Sequence, residues 1–254
     1  MKAKLLFTTI ILSSFAIAQT KQQRLQLANQ MEHSIQTQLL NKWYPQCVDS
    51  LYGGFLSTYT FDFHPTGTQD KFIVTQARHT WTTAKASELY PHVSFYLQCS
   101  LNGFHFLRDV MWDKEYGGFY NLVTRDGQDK SDPRSPKEAY GNAFAIYALA
   151  AYYKASKDTA ALSLVKEAFL WLDKHSHDAE RKGYYQHLKR EGTPVVRDAS
   201  TPSTSDLGYK DQNSSIHLLE AFTELYKVWK DDVVRERLQE MLFLIRDTMV
   251  TPKG

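Results

Sequence analysis

Apolar residues recur at close to the helical period along most of this chain. The first such run contains Leu25, Leu27, Met31, Ile35 and Leu39. The same spacing predicts helices over 72–89, 93–110, 137–154, 158–174, 212–229 and 232–249. Asp158 is expected to cap the helix that it precedes. Segment 137–154 is apolar nearly all round, which indicates a helix buried between neighbours rather than one lying on a surface.

Three short segments repeat at a steady period. They read DSLYGGF at 49–55, DKEYGGF at 113–119 and DAERKGY at 178–184. Such a period indicates stacked supersecondary units. Glycine adopts a positive φ in tight turns, and aspartate accepts hydrogen bonds from nearby backbone. Asp49, Asp113 and Asp178 are therefore predicted to be turn formers rather than catalytic acids.

A short extended stretch follows each of these turns, so each unit is predicted to be a helix pair with a small β-like excursion at one end. Two of the stretches end in Arg-Asp-Gly and Arg-Glu-Gly, which are typical of hairpin turns. The chain lacks βαβ alternation, a GxGxxG motif and a P-loop, which disfavours the nucleotide-binding folds. The predicted fold class is all-α.

The first residues of the chain have the pattern of an export signal. Lys2 and Lys4 precede an apolar run too short to span a bilayer, and Ala16-Ile17-Ala18 matches a small-x-small cleavage site. We therefore expect a signal peptide over 1–18, one domain over 19–254, and a periplasmic or extracellular location. Two cysteines are too few for a disulfide framework, so Cys47 and Cys99 are expected to be buried free thiols, with pairing the less favoured alternative.

The charge and composition of the chain limit the classes of binding partner that we expect. The chain has 30 basic and 28 acidic residues, and the small basic excess comes from the two lysines of the leader. The absence of a dense basic cluster disfavours a nucleic-acid or anionic-membrane partner. The 15 Tyr, 14 Phe and 5 Trp suit either sugar stacking or core packing.

Four blocks carry a resemblance to a known family. They are QARHTW at 76–81, YGGFYNLVTRDG at 116–127, EAYGNAFAIYALAAYY at 138–153 and KDQNSSIHLLEAFTELY at 210–226. Together they resemble the N-acylglucosamine 2-epimerase family, nearest its cellobiose/mannobiose 2-epimerase branch. The resemblance implies a single (α/α)6 barrel, in which six helix hairpins surround a sugar pocket. Six repeats of the observed length would need roughly 390 residues, so we expect the N-terminal part of such a barrel, about three and a half hairpins.

The resemblance also assigns candidate catalytic residues. Arg78 matches an active-site arginine that would stabilise an enediolate, although a salt-bridged helix arginine is the alternative. His217 matches a histidine that assists ring opening and holds the substrate, although a core histidine is the alternative. The family usually has a further histidine at the position of Ser215. Glu220 is expected to be structural.

Three further residues are candidates for substrate binding. Tyr140 matches a pocket tyrosine, and a buried structural tyrosine is an equally good reading. Asn213 lies four residues before His217 and shares its helix face. Trp81 shares a face with Arg78 and suits either sugar stacking or the core.

The resemblance implies a sugar 2-epimerase, or an aldose–ketose isomerase, that acts on mannose- or glucose-type sugars or β-linked disaccharides. No cofactor or metal is expected, because His175 and His177 lack the companions of a zinc site. The family's two principal acid/base histidines fall past Gly254, so residues 1–254 alone are expected not to epimerise mannose or cellobiose. The alternatives are a glycoside hydrolase or lyase on a related α/α toroid and a non-catalytic sugar-binding half-barrel.

Overall fold

The computed structural model describes residues 20–197, 199, 201 and 207–250. The expected signal peptide over 1–18 lies outside the described residues. The chain comprises two compact units, Met1–Gln46 and Cys47–Gly254.

The first unit contains the helix predicted around Leu25 to Leu39. Helix α1 spans Lys21–Ser34 and continues through a π-helical turn at Ile35–Leu40 into the short helix α2 at Asn41–Trp43. Thr20 begins α1 with a capping box, because its hydroxyl accepts the backbone N–H of Gln23 while the Gln23 side chain accepts the backbone N–H of Thr20.

The described residues of the second unit form three helix hairpins, which confirms the all-α prediction. The helices are α3 (Ile73–Leu89), α4 (Ser94–Phe106), α5 (Ala139–Ser156), α6 (Thr159–Ser176), α7 (Gln212–Val228) and α8 (Asp232–Leu244). Helices α4 and α8 end in π-helical turns at Leu107–Met111 and Ile245–Met249. Asp158 caps α6 as predicted, by accepting the backbone N–H of Ala160.

The helices form two rows. Helix α5 packs against both α3 and α7, and these three form the inner row. Helices α4, α6 and α8 each pack against the inner helix that precedes them in the chain. Most of α5 is buried, including residues on all sides of the helix. The prediction of a helix enclosed by its neighbours is therefore confirmed.

Short strands pair consecutive repeats with each other. Two of these strands directly precede inner helices, which therefore begin later in the chain than predicted. Strand β1 (Lys71–Phe72) pairs antiparallel with β2 (Leu122–Val123), and β3 (Lys137–Glu138) pairs antiparallel with β4 (His187–Leu188). The predicted helix starts at residues 72 and 137 are therefore wrong by one and two residues. The backbone there stays extended because it is paired with the excursion of the next repeat.

The aspartate that recurs in each repeat builds its turn, as predicted. In the second repeat, Asp113 Oδ1 accepts the backbone N–H groups of Glu115 and Tyr116 at 3.0 and 3.3 Å. Burial acts to raise the pKa of Asp113, but hydrogen bonds from Arg190 and Lys137 outweigh it and hold the pKa well below its usual range. The carboxyl is thus a permanently ionised structural group rather than a proton donor.

A lysine pairs with the turn aspartate in every repeat. The pairs are Lys71–Asp49 at 3.0 Å, Lys137–Asp113 at 2.9 Å and Lys210–Asp178 at 2.7 Å. Each lysine also donates to a backbone carbonyl of the turn, that of Gly53, Gly117 or Lys182. Since each lysine lies just before an inner helix, this contact fixes the start of that helix against its turn.

Gly118 and Gly183 occupy equivalent turn positions, and comparing their substitution by alanine distinguishes the cost of backbone strain from the cost of a steric clash. Gly118 and Gly183 both have a φ of +73°. A Cβ at Gly118 would lie 2.5 Å from the Trp171 ring, whereas one at Gly183 would lie 3.0 Å from the flexible end of Leu244. We expect Gly183→Ala to cost about 1–2 kcal/mol in free energy of unfolding from backbone strain. Gly118→Ala should cost about 1–3 kcal/mol more from overpacking. Urea unfolding measures both, and equal losses would contradict the clash.

Both cysteines are buried and unpaired, as expected. Burial raises the pKa of the Cys47 and Cys99 thiols to about 12. The thiolate is the reactive form of cysteine, so neither side chain has the character of a nucleophile near neutral pH.

The half-buried His79 is expected to give the fold a pH dependence. Its ring stacks on Phe55 with centroids 4.8 Å apart, and burial lowers its pKa to about 4. An unfolded histidine titrates near 6.5, so the stabilisation is complete above that pH and is lost as the pH falls toward 4. We expect the free energy of unfolding to drop by about 2 kcal/mol between pH 7 and pH 5 from this group. Denaturant unfolding across that range should show a shallower slope for His79→Phe, and an unchanged slope would exclude His79 as the cause.

Candidate active site

A cavity of about 250 Å3 opens between the three inner helices. This volume lies just below the range of about 300–1,000 Å3 that is typical of sites for drug-sized ligands. Its lining consists of Arg78, Trp81, Thr82, Phe144, Tyr147, His217 and Glu220. Three of the five predicted site residues, Arg78, Trp81 and His217, are therefore brought together by the fold.

The lining follows the internal repeat. Counted from the lysine before each inner helix, the seventh residues are Arg78, Phe144 and His217, and the tenth are Trp81, Tyr147 and Glu220. All six line the cavity. Equivalent offsets project into the same space because each lysine fixes the start of its helix in the same way. The sequence analysis missed Phe144 and Tyr147 and gave Glu220 a structural role, although aligning the repeats on their lysines identifies all three.

Two aromatic rings and a carboxylate hold His217. Its ring lies 4.5 Å from the ring of Phe144 and 5.2 Å, edge-on, from that of Tyr140. Its Nδ1 lies 2.7 Å from Oε2 of Glu220, three residues along the same helix. The His217 side chain is 16% exposed, so the ring is packed but still borders the cavity.

Arg78 faces the same cavity from α3. Its guanidinium carbon lies 4.6 Å from the centroid of the Phe144 ring, a cation–π contact. The Phe144 ring also contacts His217, so the Arg78 guanidinium and the His217 imidazole both lie against the same side chain of the cavity lining. Arg78 forms no ion pair with any residue that the structure describes, so the alternative reading as a salt-bridged helix arginine is not supported. Its charge is available to an anionic group in the cavity.

Trp81 and Tyr147 form an aromatic pair in the lining of the cavity. Their rings stack with centroids 4.9 Å apart and planes inclined by 15°. Burial raises the pKa of Tyr147 above its usual range, and the negative charges of Glu220 and Glu224 raise it further. The phenol therefore stays neutral and can act as a hydrogen-bond donor.

The other two predicted binding residues lie one turn nearer the helix starts. Tyr140 and Asn213 are each the third residue after their lysine. Tyr140 packs on His217 without lining the cavity. Asn213 is exposed and is also not among the lining residues, so the structure does not bring it into the pocket. Substrate contacts by these two side chains stay predictions.

The described part of the chain contains neither a cluster of metal ligands nor a membrane-spanning helix. Within residues 20–197, 199, 201 and 207–250, no three His, Cys, Asp or Glu side chains are grouped so that they could hold a metal ion. Within the same residues, no helix is both long enough and apolar enough to cross a membrane.

The profile of the N-acylglucosamine 2-epimerase (GlcNAc 2-epimerase) family matches residues 53–254. The chain belongs to this family. A cellobiose 2-epimerase of Bacteroides fragilis is 28% identical over 224 residues, which cover 88% of this chain and 56% of the relative. A cellobiose 2-epimerase of Ruminococcus albus is 30% identical over 204 residues, which cover 80% of this chain and 51% of the relative.

Solved structures give the same fold. The cellobiose 2-epimerase of Spirochaeta thermophila superposes with a TM-score of 0.76 at 33% identity, and the match covers 86% of this chain and 54% of that one. The three hairpins of this chain are therefore those of an (α/α)6 barrel, as the resemblance implied. The chain spans about half the length of the curated relatives that it matches.

Proposed function

We propose that the whole protein is a sugar 2-epimerase, or an aldose–ketose isomerase, that acts on mannose- or glucose-type sugars or on β-linked disaccharides. One observation carries the proposal. In a chain of this family, the Arg78 guanidinium and the His217 imidazole border one cavity, and both contact the Phe144 ring.

The chemistry explains why a fixed cation belongs there. When the sugar ring opens, C1 becomes a carbonyl carbon, and the proton on C2 becomes acidic because it lies next to that carbonyl. Removing this proton gives an enediolate, whose negative charge on oxygen is stabilised by a donor already aimed at it. Arg78 supplies such a donor. Returning the proton to the other face of C2 gives the epimer, and returning it to C1 gives the ketose.

His217 suits the ring-opening step that must come first. An imidazole is the side chain best suited to accept the proton of the anomeric hydroxyl. Among the described residues that line the cavity, there is no second histidine. In keeping with the family resemblance, we place the two principal acid/base histidines outside residues 1–254 and assign this segment the arginine and the ring-opening histidine.

A hydrolase is the weaker candidate. Glycoside hydrolysis requires a pair of carboxyl groups facing each other across the substrate. The repeat aspartates are engaged in turns and lysine pairs, and Glu220 is the one carboxylate among the residues that line the cavity.

The proposal is tested with the whole protein in heavy water. Cellobiose, mannose and glucose are each incubated with it and followed by proton NMR. We expect deuterium to replace hydrogen at C2 of the reducing sugar as the epimer or ketose appears. Release of glucose from cellobiose without exchange at C2 would instead indicate a hydrolase, and binding without turnover would indicate a sugar-binding protein.

We also propose export, on the strength of the leader pattern over 1–18. The intact mass of the protein from its native source tests this. Cleavage after Ala18 predicts an N-terminus at Gln19, and retention of the leader would contradict it.

A further inference from the structure

The contact between His217 and Glu220 defines a specific protonation state of the imidazole. Oε2 of Glu220 lies 2.7 Å from Nδ1 of His217. An ionised carboxylate only accepts hydrogen bonds, so this contact requires a proton on Nδ1. In the neutral imidazole the lone pair then resides on Nε2, which is the nitrogen left to accept a proton.

The repeat shows that the carboxylate is not demanded by the fold. The positions equivalent to Glu220 carry Trp81 and Tyr147, which are both aromatic. Glu220 itself is 52% exposed, so its side chain contributes little to the packing of α7. A carboxylate appears at this offset only in the repeat whose seventh residue is a histidine. The pairing therefore serves the histidine rather than the helix.

The aromatic neighbours of His217 restrict the orientation of its ring, but they do not determine which ring nitrogen is protonated. Phe144 and Tyr140 lie against His217 at 4.5 and 5.2 Å between ring centroids. These two rings limit the orientation of the imidazole but do not select which nitrogen carries the hydrogen. Among the hydrogen bonds of the described residues, that choice is made by Glu220.

We propose that Glu220 is a positioning residue that holds His217 with Nδ1 protonated and Nε2 free to act as the base of ring opening. The inference rests on the proposed function. Nε2 takes the proton of the anomeric hydroxyl, and the electron pair of that O–H bond becomes the second bond of the C1 carbonyl. The C1–O5 bond breaks toward O5, which takes a proton from water. The imidazolium returns its extra proton to water.

The test combines a spectroscopic and a kinetic measurement on the whole protein. Glu220→Gln keeps the size of the side chain, but its amide can donate to Nδ1 and so permits the other tautomer. Glu236→Gln, at an exposed position on α8, is the matched control. Nitrogen NMR of labelled histidine, at a pH where the imidazole is neutral, reports which nitrogen carries the hydrogen. His217→Asn assigns the signal among the histidines of the whole protein.

We expect His217 to carry its hydrogen on Nδ1 in the wild type and in Glu236→Gln, and to lose that preference in Glu220→Gln. Mutarotation of α-D-glucose, followed by polarimetry, measures ring opening separately from exchange at C2. Glu220→Gln should slow the enzyme-catalysed mutarotation by about 10- to 100-fold, less than the roughly 100- to 10,000-fold effect of a general acid or base, because His217 itself is retained. A merely structural glutamate would leave both measurements unchanged in this near-isosteric variant.

The outcomes separate the two hypotheses. A wild-type protein that accelerates mutarotation and C2 exchange, together with a Glu220→Gln variant that does so equally well with the same tautomer, overturns the inference alone. A folded wild type that accelerates neither reaction overturns the proposed function and the inference with it.

Discussion

Replacing Arg78 by methionine is expected to lower kcat/KM for hydrogen exchange at C2 by about 100- to 1,000-fold, the usual effect of losing one donor to a developing oxyanion. The reason is that Arg78 borders the cavity without an ion-pair partner among the described residues, so its charge is directed at the substrate rather than at the protein. Methionine preserves the length and apolar stem of the side chain while removing the charge.

Lys85→Met is the matched control for this variant. Lys85 lies on the same helix, about two turns beyond Arg78. It pairs with Glu224 at 3.2 Å and does not line the cavity. We expect this variant to retain activity within about threefold, because the partly buried pair that it loses lies outside the cavity.

The two steps of the reaction should respond differently to Arg78→Met. Enediolate formation needs the cation, whereas ring opening is assigned to His217. Exchange at C2, followed by NMR, should therefore fall much further than mutarotation, followed by polarimetry. An equal decline in both rates, or retention of C2 exchange, would contradict the role assigned to Arg78.

Replacing Lys137 by methionine should have the largest effect on stability, a loss of about 3–5 kcal/mol in free energy of unfolding. The lysine side chain is fully buried and pairs with the equally buried Asp113 at 2.9 Å. It also donates to the carbonyl oxygens of Gly117 and Arg190 at 2.5 Å. Its removal leaves two carbonyl groups without this donor and takes one of two cationic partners from the buried Asp113 carboxylate, which Arg190 still contacts at 2.9 Å.

Lys210→Met is the control, because Lys210 makes the equivalent contacts in the third repeat. Its side chain is 26% exposed, and solvent can take over much of the lost interaction with Asp178. We expect a clearly smaller loss there. Urea unfolding at neutral pH measures both variants, and near-ultraviolet circular dichroism verifies that each is folded beforehand. Equal losses would show that burial does not set the strength of this pair.

The pattern of apolar positions was sufficient to predict helices α3 to α8 within a few residues, because an amphipathic or buried helix leaves a periodic trace in the chain. Its errors at the starts of α3 and α5 have one cause. Phe72, Lys137 and Glu138 pair with strands of the following repeat. The partner of each strand lies about 50 residues away in sequence, and a local pattern carries no information about it.

The candidate site was predictable to different degrees. Arg78 and His217 were identified through the family motifs, and the fold places both at the cavity. Asn213 was placed on the correct face of α7 by its spacing from His217, yet it lies one turn outside the lining. Helical spacing defines a direction around the helix axis, but it does not define the depth at which neighbouring helices enclose a pocket.

The sequence by itself determined the helices, the turn aspartates, the repeat and the family, because each depends on residues close together in the chain or on motifs in fixed order. Only the tertiary structure decided that Phe144 joins Arg78 to His217, that Tyr147 stacks on Trp81, and that the lysines pair with the turn aspartates. These contacts join residues that are far apart in sequence, and they exist because the inner helices pack side by side with their repeats in register.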